Sequence, residues 1–182
     1  DYPDHIDYYF SLAEVQLNQS KYQDAIKTFD QVESKIGLNR DLIIQKERIY
    51  LRLGKVDEAA KELEKLIKDN PMDMEAYSML LEVYQVNNFP DKALEVIQRM
   101  KAVDADNPSV SLGLAEYYRG KGEKEQSFNE LKKAFQSPQL GPEVEIRILM
   151  SYLPLVGNNP EMMEQALLLS KAMSEAHPNE AN

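Results

Sequence analysis

Residues 50–63 read Tyr50-Leu51-Arg52-Leu53-Gly54-Lys55-Val56-Asp57-Glu58-Ala59-Ala60-Lys61-Glu62-Leu63. An aromatic residue leads to a glycine, and the glycine leads to an alanine. Outward from this stretch the same three landmarks return every 34 residues. Tyr50, Tyr84, Tyr118 and Tyr152 keep the step. Ala25, Ala59 and Ala93 keep it too, and Ser127 takes the next place. Ser20, Gly54, Asn88 and Gly122 form the third ladder. Self-similarity at this period marks a helical solenoid, in which each unit buries its apolar face only against its neighbours.

Repeats are numbered here from position 1 to 34, covering about residues 6–39, 40–73, 74–107, 108–141 and 142–180. The Ser20/Gly54/Asn88/Gly122 ladder falls at position 15, between two helical patterns. Gly and Asn tolerate the left-handed backbone that ends a helix, and Ser does so less readily. A helix A therefore precedes each turn and a helix B follows it. In the first repeat helix A is expected over residues 5–18, with Tyr9, Leu12, Ala13 and Leu17 on one face. Helix B carries Ala25, Ile26, Phe29 and Val32, then Ala59, Leu63 and Leu66 one repeat later. These are amphipathic helical spacings. The small residue at position 20 lets the two helices of a pair approach closely. Pro71 and Pro178 close helices B, whereas Pro108 and Pro142 open helices A, where a missing N–H costs nothing. Asn107 is the expected N-cap before Pro108.

The fifth repeat breaks the ruler. Tyr152 is in step, but the alanine due at residue 161 appears as Ala166. Five extra residues are expected within Pro154–Pro160 as a longer, irregular turn. Pro3 falls at position 32, like Pro71 and Pro178, so the chain starts and ends at repeat joints. The last helix is apolar over much of its circumference, through Met162, Met163, Ala166, Leu167, Leu168, Leu169, Ala172 and Met173. A capping repeat normally shows a polar outer face. The expectation is one array over residues 1–182, cut from a longer one.

These positions resemble the tetratricopeptide repeat family. Its pattern has a large residue at position 4, Leu at 7, a small residue at 8, Tyr at 11, Ala at 20, an aromatic at 24, Ala at 27 and Pro at 32. Tyr9, Leu12, Ala13, Ala25 and Phe29 supply it in repeat 1, with a departure at Gln16. Repeat 2 supplies Tyr50, Ala59 and Pro71 but sets Lys46 and Glu47 at positions 7 and 8. Later repeats supply Tyr77, Leu80, Tyr84 and Ala93, then Leu114, Ala115, Tyr118 and Ala134, then Ile148, Tyr152, Ala166 and Met173. The resemblance implies an all-α, right-handed superhelical solenoid of about five repeats. Likeness in style to bacterial array proteins implies a prokaryotic source.

Composition narrows the function classes. The formal net charge is −10, which disfavours nucleic acid and anionic membrane surfaces, both of which need Lys and Arg. No apolar stretch is long enough to span a bilayer. Cysteine is absent, so thiolate chemistry is excluded while the compartment stays open. The two histidines, His5 and His177, stand at opposite ends and are expected to be exposed. No Ser/His/Asp set, phosphate loop or dinucleotide fingerprint is present. No catalytic, metal or cofactor residue is assigned, and no enzymatic role is expected.

The resemblance implies a binding groove lined by helices A. Carried over position by position, it names Phe10, Glu14, Ile44, Arg48, Met79, Glu82, Leu112, Glu116 and Ile146. Apolar residues at position 5 or 6 would anchor a peptide or helix. Position 9 reads Glu14, Arg48, Glu82, Glu116, and those acids would favour a basic segment. Solubility is an equally sufficient account of them. Position 2 reads Asp7, Asp41, Glu75, Ser109, Glu143, where the helix dipole favours acids in any case. Family members that grip a C-terminal carboxylate use Lys or Asn at positions 5 and 9 of one repeat, Asn at 6 of the next, and Lys and Arg at 2 and 6 of a third. Phe10, Glu14, Gln45, Glu75 and Met79 stand there in the first frame, and no frame supplies the clamp. The expected function is a non-catalytic protein-interaction scaffold. The alternative is a spacer within a longer array, with the partner elsewhere or on the last helix.

Overall fold

The structure is a computed structural model, and it describes residues 6–157 and 159–178. His5 and Pro3 lie outside the described residues. Among those described there are ten α-helices and no strand. In order they are α1 (Ile6–Asn18), α2 (Tyr22–Ile36), α3 (Arg40–Arg52), α4 (Val56–Asp69), α5 (Met74–Val86), α6 (Pro90–Val103), α7 (Pro108–Lys121), α8 (Lys124–Phe135), α9 (Pro142–Val156) and α10 (Pro160–Ala176). Odd-numbered helices are the helices A and even-numbered ones the helices B. The chain divides into two compact units, one up to Phe89 and one from Pro90 on.

The position-15 ladder is a ladder of left-handed residues. Ser20 (φ 58°), Gly54 (φ 69°), Asn88 (φ 61°) and Gly122 (φ 76°) all adopt positive φ. Around each, two backbone bonds close the same motif. The next N–H reaches back five residues, Lys55 to Tyr50 O at 2.8 Å, and Gly54 N–H reaches Leu51 O at 2.9 Å. Phe89 to Tyr84 O and Glu123 to Tyr118 O repeat the long bond at 2.8 and 2.9 Å. This is the Schellman termination, which satisfies carbonyls that a helix end would otherwise orphan. The tyrosine ladder thus also marks the last full turn of each helix A. Helix starts are capped where the sequence allows: Asn39, Asp73, Asn107 and Asn159 accept N–H bonds at the starts of α3, α5, α7 and α10.

In the first unit, Ala13, Ala25, Ile26, Phe29, Val32, Leu42 and Ile49 form a buried core shared by α1, α2 and α3. Ala25 and Ala59 are fully buried, as the close pair approach requires. In the second unit Ala134, Phe135, Leu140, Leu169 and Ala172 form the core, with Leu112, Phe128, Ile148 and Tyr152 packed on it.

Departures from the repeat pattern have local explanations. Gln16, in the tyrosine place of repeat 1, accepts a 2.8 Å hydrogen bond from Thr28 on α2. Ser127, in the alanine place of repeat 4, donates across the helix pair to Ala115 O at 2.7 Å. Lys46, in the leucine place of repeat 2, is 1% exposed and still helps α3 pack. Its ammonium meets Asp30 and Glu33 of α2, the latter at 2.8 Å, and Glu62 of α4 at 3.1 Å. Lys65 bridges the same glutamates, 3.0 Å from Glu33 and 2.8 Å from Glu62. Burial alone would push the Lys46 ammonium down, but bonds to Asp30 and Glu33 and the Glu62 charge outweigh it and hold it raised.

The expected long turn in repeat 5 is corrected. The turn between α9 and α10 is residues 157–159, as short as the others. Helices A of repeats 1 to 3 end at position 13, whereas α9 runs to position 15 and so gains two residues. Ala25, Ala59 and Ala93 are the fourth residues of their helices, whereas Ala166 is the seventh of α10, a gain of three. The five inserted residues therefore lengthen two helices. Pro154 is tolerated inside α9 because it sits in the last turn, where few bonds depend on it.

Candidate functional site

Helices A carry the residues expected to bind. In the first unit, Phe10 and Glu14 lie on α1, Ile44 and Arg48 on α3, Met79 and Glu82 on α5. Phe10, Glu14, Arg48 and Glu82 are exposed, and Ile44 and Met79 are half-buried. The Phe10 ring tilts against the buried Phe29 at 6.3 Å between centroids, which limits its freedom. The N-termini of α3 and α5 are tied together. Arg40 pairs with the Asp73 carboxylate and lies 3.1 Å from Glu75, the latter an ion-pair distance without hydrogen-bond alignment.

The second unit holds Leu112, Glu116 and Ile146. Leu112 is half-buried and packs on that unit's core, so it is a structural residue as much as a candidate anchor. Glu116 is held by Arg119 through two bonds of 2.6 and 2.9 Å. The position-9 acids are therefore not equivalent, because Glu116 is locally neutralised. For Glu14 and Glu82 no hydrogen bond or ion pair is present among the described residues. The position-2 acids behave as first-turn charges: Asp7, Asp41, Glu75 and Glu143 all sit in the opening turn of their helices.

Two ionisable residues depart from what the sequence suggests. His177 is not exposed. Its side chain is largely buried, and Nε2 lies 3.1 Å from the carboxylate of the fully buried Glu145 on α9, at ion-pair distance but not aligned as a hydrogen bond. Sequence reading places it at a chain end, whereas α10 carries it back onto the start of α9. Glu47 is the second. It stands in the small-residue place of repeat 2, is 7% exposed, and has no hydrogen bond or ion pair among the described residues. Burial pushes its carboxyl up, Arg48 pulls it down, and the Glu82 carboxylate pushes it up again. The only sequence signal for Glu47 is its misfit with the repeat pattern.

Ile146, Met150 and Leu153 form an exposed apolar stripe on α9, at 49%, 61% and 67%. On α10, Met163, Leu167 and Leu168 are exposed, while Leu169 and Ala172 are buried. Among the described residues no helix is long and apolar enough to cross a membrane, and no cluster of His, Cys, Asp or Glu has the arrangement to hold a metal.

Residues 17–84 match the family model described as tetratricopeptide repeat. The chain is 25% identical over 178 residues to the TPR repeat-containing protein YpiA of Bacillus subtilis, covering 98% of this chain and 41% of that protein. It is 24% identical over 136 residues to the human protein O-mannosyl-transferase TMTC1, covering 72% of this chain but 15% of that protein. It thus spans well under half the length of either curated relative. Among solved structures, MamA 41-end from Desulfovibrio magneticus RS-1 superposes with a TM-score of 0.56 at 15% identity, covering 100% of both chains. That likeness establishes the fold.

Proposed function

We propose that this chain, a tetratricopeptide-repeat protein, is a non-catalytic scaffold whose five repeats form one array and bind a peptide or helix along the helix-A face. The observation that carries the reading is a pairing on two helices of the first unit. On α1 and α5 an apolar residue at position 5 or 6 is followed by an exposed acid about one turn later, Phe10 by Glu14 and Met79 by Glu82, whereas on α3 Ile44 is followed by Arg48. Such pairs on one helix face are neighbours in space. Apolar anchors would supply most of the affinity, while exposed acids would select a basic segment and raise its on-rate. The transferase name of the human relative does not transfer, because the matched part is a small fraction of that protein.

A peptide array probed at low salt tests the reading. Basic peptides bearing an apolar residue should bind best, and Glu14→Lys, Glu82→Lys and Glu116→Lys together should abolish the preference. Each exposed charge is worth about 0–1 kcal/mol and is screened by salt. Because Arg119 already neutralises Glu116, the first two substitutions should carry the larger share. Equal binding of acidic and basic peptides would reject the reading.

A second reading has its own support. The α9 stripe and the exposed face of α10 are apolar surface of the kind that a further repeat covers. On this reading the chain is a spacer within a longer array, and the partner binds elsewhere or on α10. A longer piece of the parent protein, if it protects Met150 and Leu167 from amide exchange and leaves α1, α3 and α5 free of ligand, would favour it.

A further inference from the structure

Position 9 faces solvent on every helix A. Glu14, Arg48, Glu82, Glu116 and Met150 stand there, and all are exposed. The first four belong to repeats that another repeat follows, so a following repeat does not cover this position. Positions 5 and 12 lie on the same face. Phe10 and Ile146 are exposed at position 5, and Ile44, Ser78 and Leu112 are half-buried. Arg119 and Leu153 are exposed at position 12, and Leu17, Leu51 and Gln85 are half-buried. The exposure of Met150 is therefore a property of the helix-A face and would outlast the stacking of a further repeat.

What changes at α9 is the chemistry of that face. Phe10-Glu14-Leu17 and Ile44-Arg48-Leu51 each set a charge between two apolar residues. Ile146, Met150 and Leu153 do not, and their i, i+4, i+7 stripe runs about 10 Å along the helix without interruption. The exposed Glu143 and Arg147 lie along one edge of it, one of each sign. On α7, the other helix A of this unit, Glu116 is bonded to Arg119 at 2.6 and 2.9 Å. No net charge selects a basic segment here, unlike the exposed Glu14 and Glu82 of the first unit.

The stripe also selects the partner's backbone. An extended peptide needs outside partners for its N–H and C=O groups. Isoleucine, methionine and leucine offer it no donor and no strong acceptor. A helix satisfies its own backbone and can set a ridge of side chains into the grooves of another helix.

We propose that α9 docks an amphipathic helix of a protein partner on Ile146, Met150 and Leu153, through an uncharged apolar face that repeats at i, i+4, i+7. The inference rests on the helix-A groove reading above and deepens it. It gives the second unit a helical, uncharged stretch of the partner and leaves basic residues to the first.

The test uses the whole chain and a dye-labelled, capped peptide of Ala and Gln with Leu at i, i+4 and i+7, read by anisotropy. One control has the same composition with its Leu dispersed around the helix, and a second has a central proline that breaks the helix. Wild type should bind the patterned peptide, raise its helicity in circular dichroism, and bind either control roughly tenfold more weakly or worse. Binding should hold or tighten as salt rises, because no ion pair is being screened. Met150→Glu gives α9 the charge that other helices A carry at position 9. It should weaken binding by roughly ten- to a hundredfold, since a carboxylate would have to be buried against the peptide. Leu167→Glu puts the same charge on α10 and should leave binding intact. Ile146→Gln with Leu153→Gln is the charge-free check, and an unchanged melting midpoint separates lost contact from lost fold.

Wild-type affinity in Met150→Glu and in the double variant, loss in Leu167→Glu alone, or equal binding of the dispersed peptide would overturn the proposal. So would self-association in sedimentation that Met150→Glu abolishes, which would make the occupant a second copy. Met150-dependent binding to phosphatidylcholine vesicles in preference to the peptide would assign the stripe to a lipid surface instead. No binding of the patterned peptide, with basic peptides still bound through Glu14 and Glu82, would remove this proposal and leave the groove reading. Absence of both kinds of binding would remove the two together.

Discussion

Replacing Lys46 with leucine restores the residue that the repeat pattern prefers at position 7, yet it should destabilise the protein. Lys46 is 1% exposed and stands among Asp30, Glu33 and Glu62. Leucine fills a similar space, so little is lost in packing. The loss comes from the carboxylates left behind. Removing one member of a buried ion pair typically costs about 3–5 kcal/mol, because the remaining charge stays buried without its partner. Two features place this case near the lower end. Lys65 still lies 2.8 Å from Glu62 and 3.0 Å from Glu33, and Asp30 is half in solvent and can turn outward. The expectation for Lys46→Leu is therefore about 3 kcal/mol at neutral pH by urea melts with unchanged slope. Pairing it with Glu62→Leu should recover much of that loss, since a buried charge cluster can often be exchanged for apolar packing.

The pH dependence sharpens the test. Burial pushes Glu33 up, but bonds to Lys46 and Lys65 outweigh it and hold its carboxyl below the usual range. A lowered carboxyl contributes stability that is present above its unfolded value of about 4.3 and is lost as pH falls through its folded value. The gap between wild type and Lys46→Leu should be full at pH 7 and shrink below about pH 4. On the alkaline side, Lys46 is raised, so its contribution is complete below about pH 10.4 and is lost only as pH climbs through the folded value. If Lys46→Leu were neutral or stabilising at pH 7, or its cost did not depend on pH, the ion cluster would not be what holds α3 against α2 and α4.

Four further outcomes follow from the turn and packing ladders. Gly54→Ala should cost about 1–2 kcal/mol, because an added Cβ meets no atom within 4 Å and only the left-handed backbone is strained. Ser20→Gly should stabilise by up to about 1 kcal/mol for the same reason reversed, and urea midpoints moving in the opposite order would refute the turn assignment. Ala59→Leu should destabilise by about 1–3 kcal/mol through overpacking of α3 against α4, which a thermal melt would show as a lowered midpoint. Ser127→Ala should lose about 1 kcal/mol with its bond to Ala115 O, even though alanine is the pattern's own residue there.

Much of the fold was legible because it is written in backbone terms. A left-handed residue must be Gly, Asn or a tolerated Ser, and a close helix pair must have a small side chain at its contact. Those limits show through sequence at Gly54, Asn88, Gly122, Ala25 and Ala59. Where a repeat uses a different chemistry for the same contact, pattern reading stalls. Gln16, Lys46 and Ser127 all looked like departures, and each replaces an apolar contact with a hydrogen bond or ion pair whose partner lies 12 or more residues away. No single-sequence rule supplies such partners. The same limit hid His177, whose burial depends on where α10 returns along α9.

The fifth repeat shows why length alone misleads. Five extra residues between two landmarks look like a loop, since loops accept insertions at little cost. Yet Pro160 is well placed as a first helical residue, and Asn159 before it accepts bonds from Glu161 and Met162 N–H. Those two residues fix the start of α10 three places early relative to its alanine. Upstream, the helical run continues past position 13 to Val156 with no left-handed residue to stop it among the described residues, and Gly157 itself is right-handed at φ −58°. The insertion therefore had to become helix at both ends. A helix lengthened by two or three residues turns its added side chains to new directions at 100° per residue, so the residues gained at the end of α9 and the start of α10 do not repeat the faces used by the shorter helices.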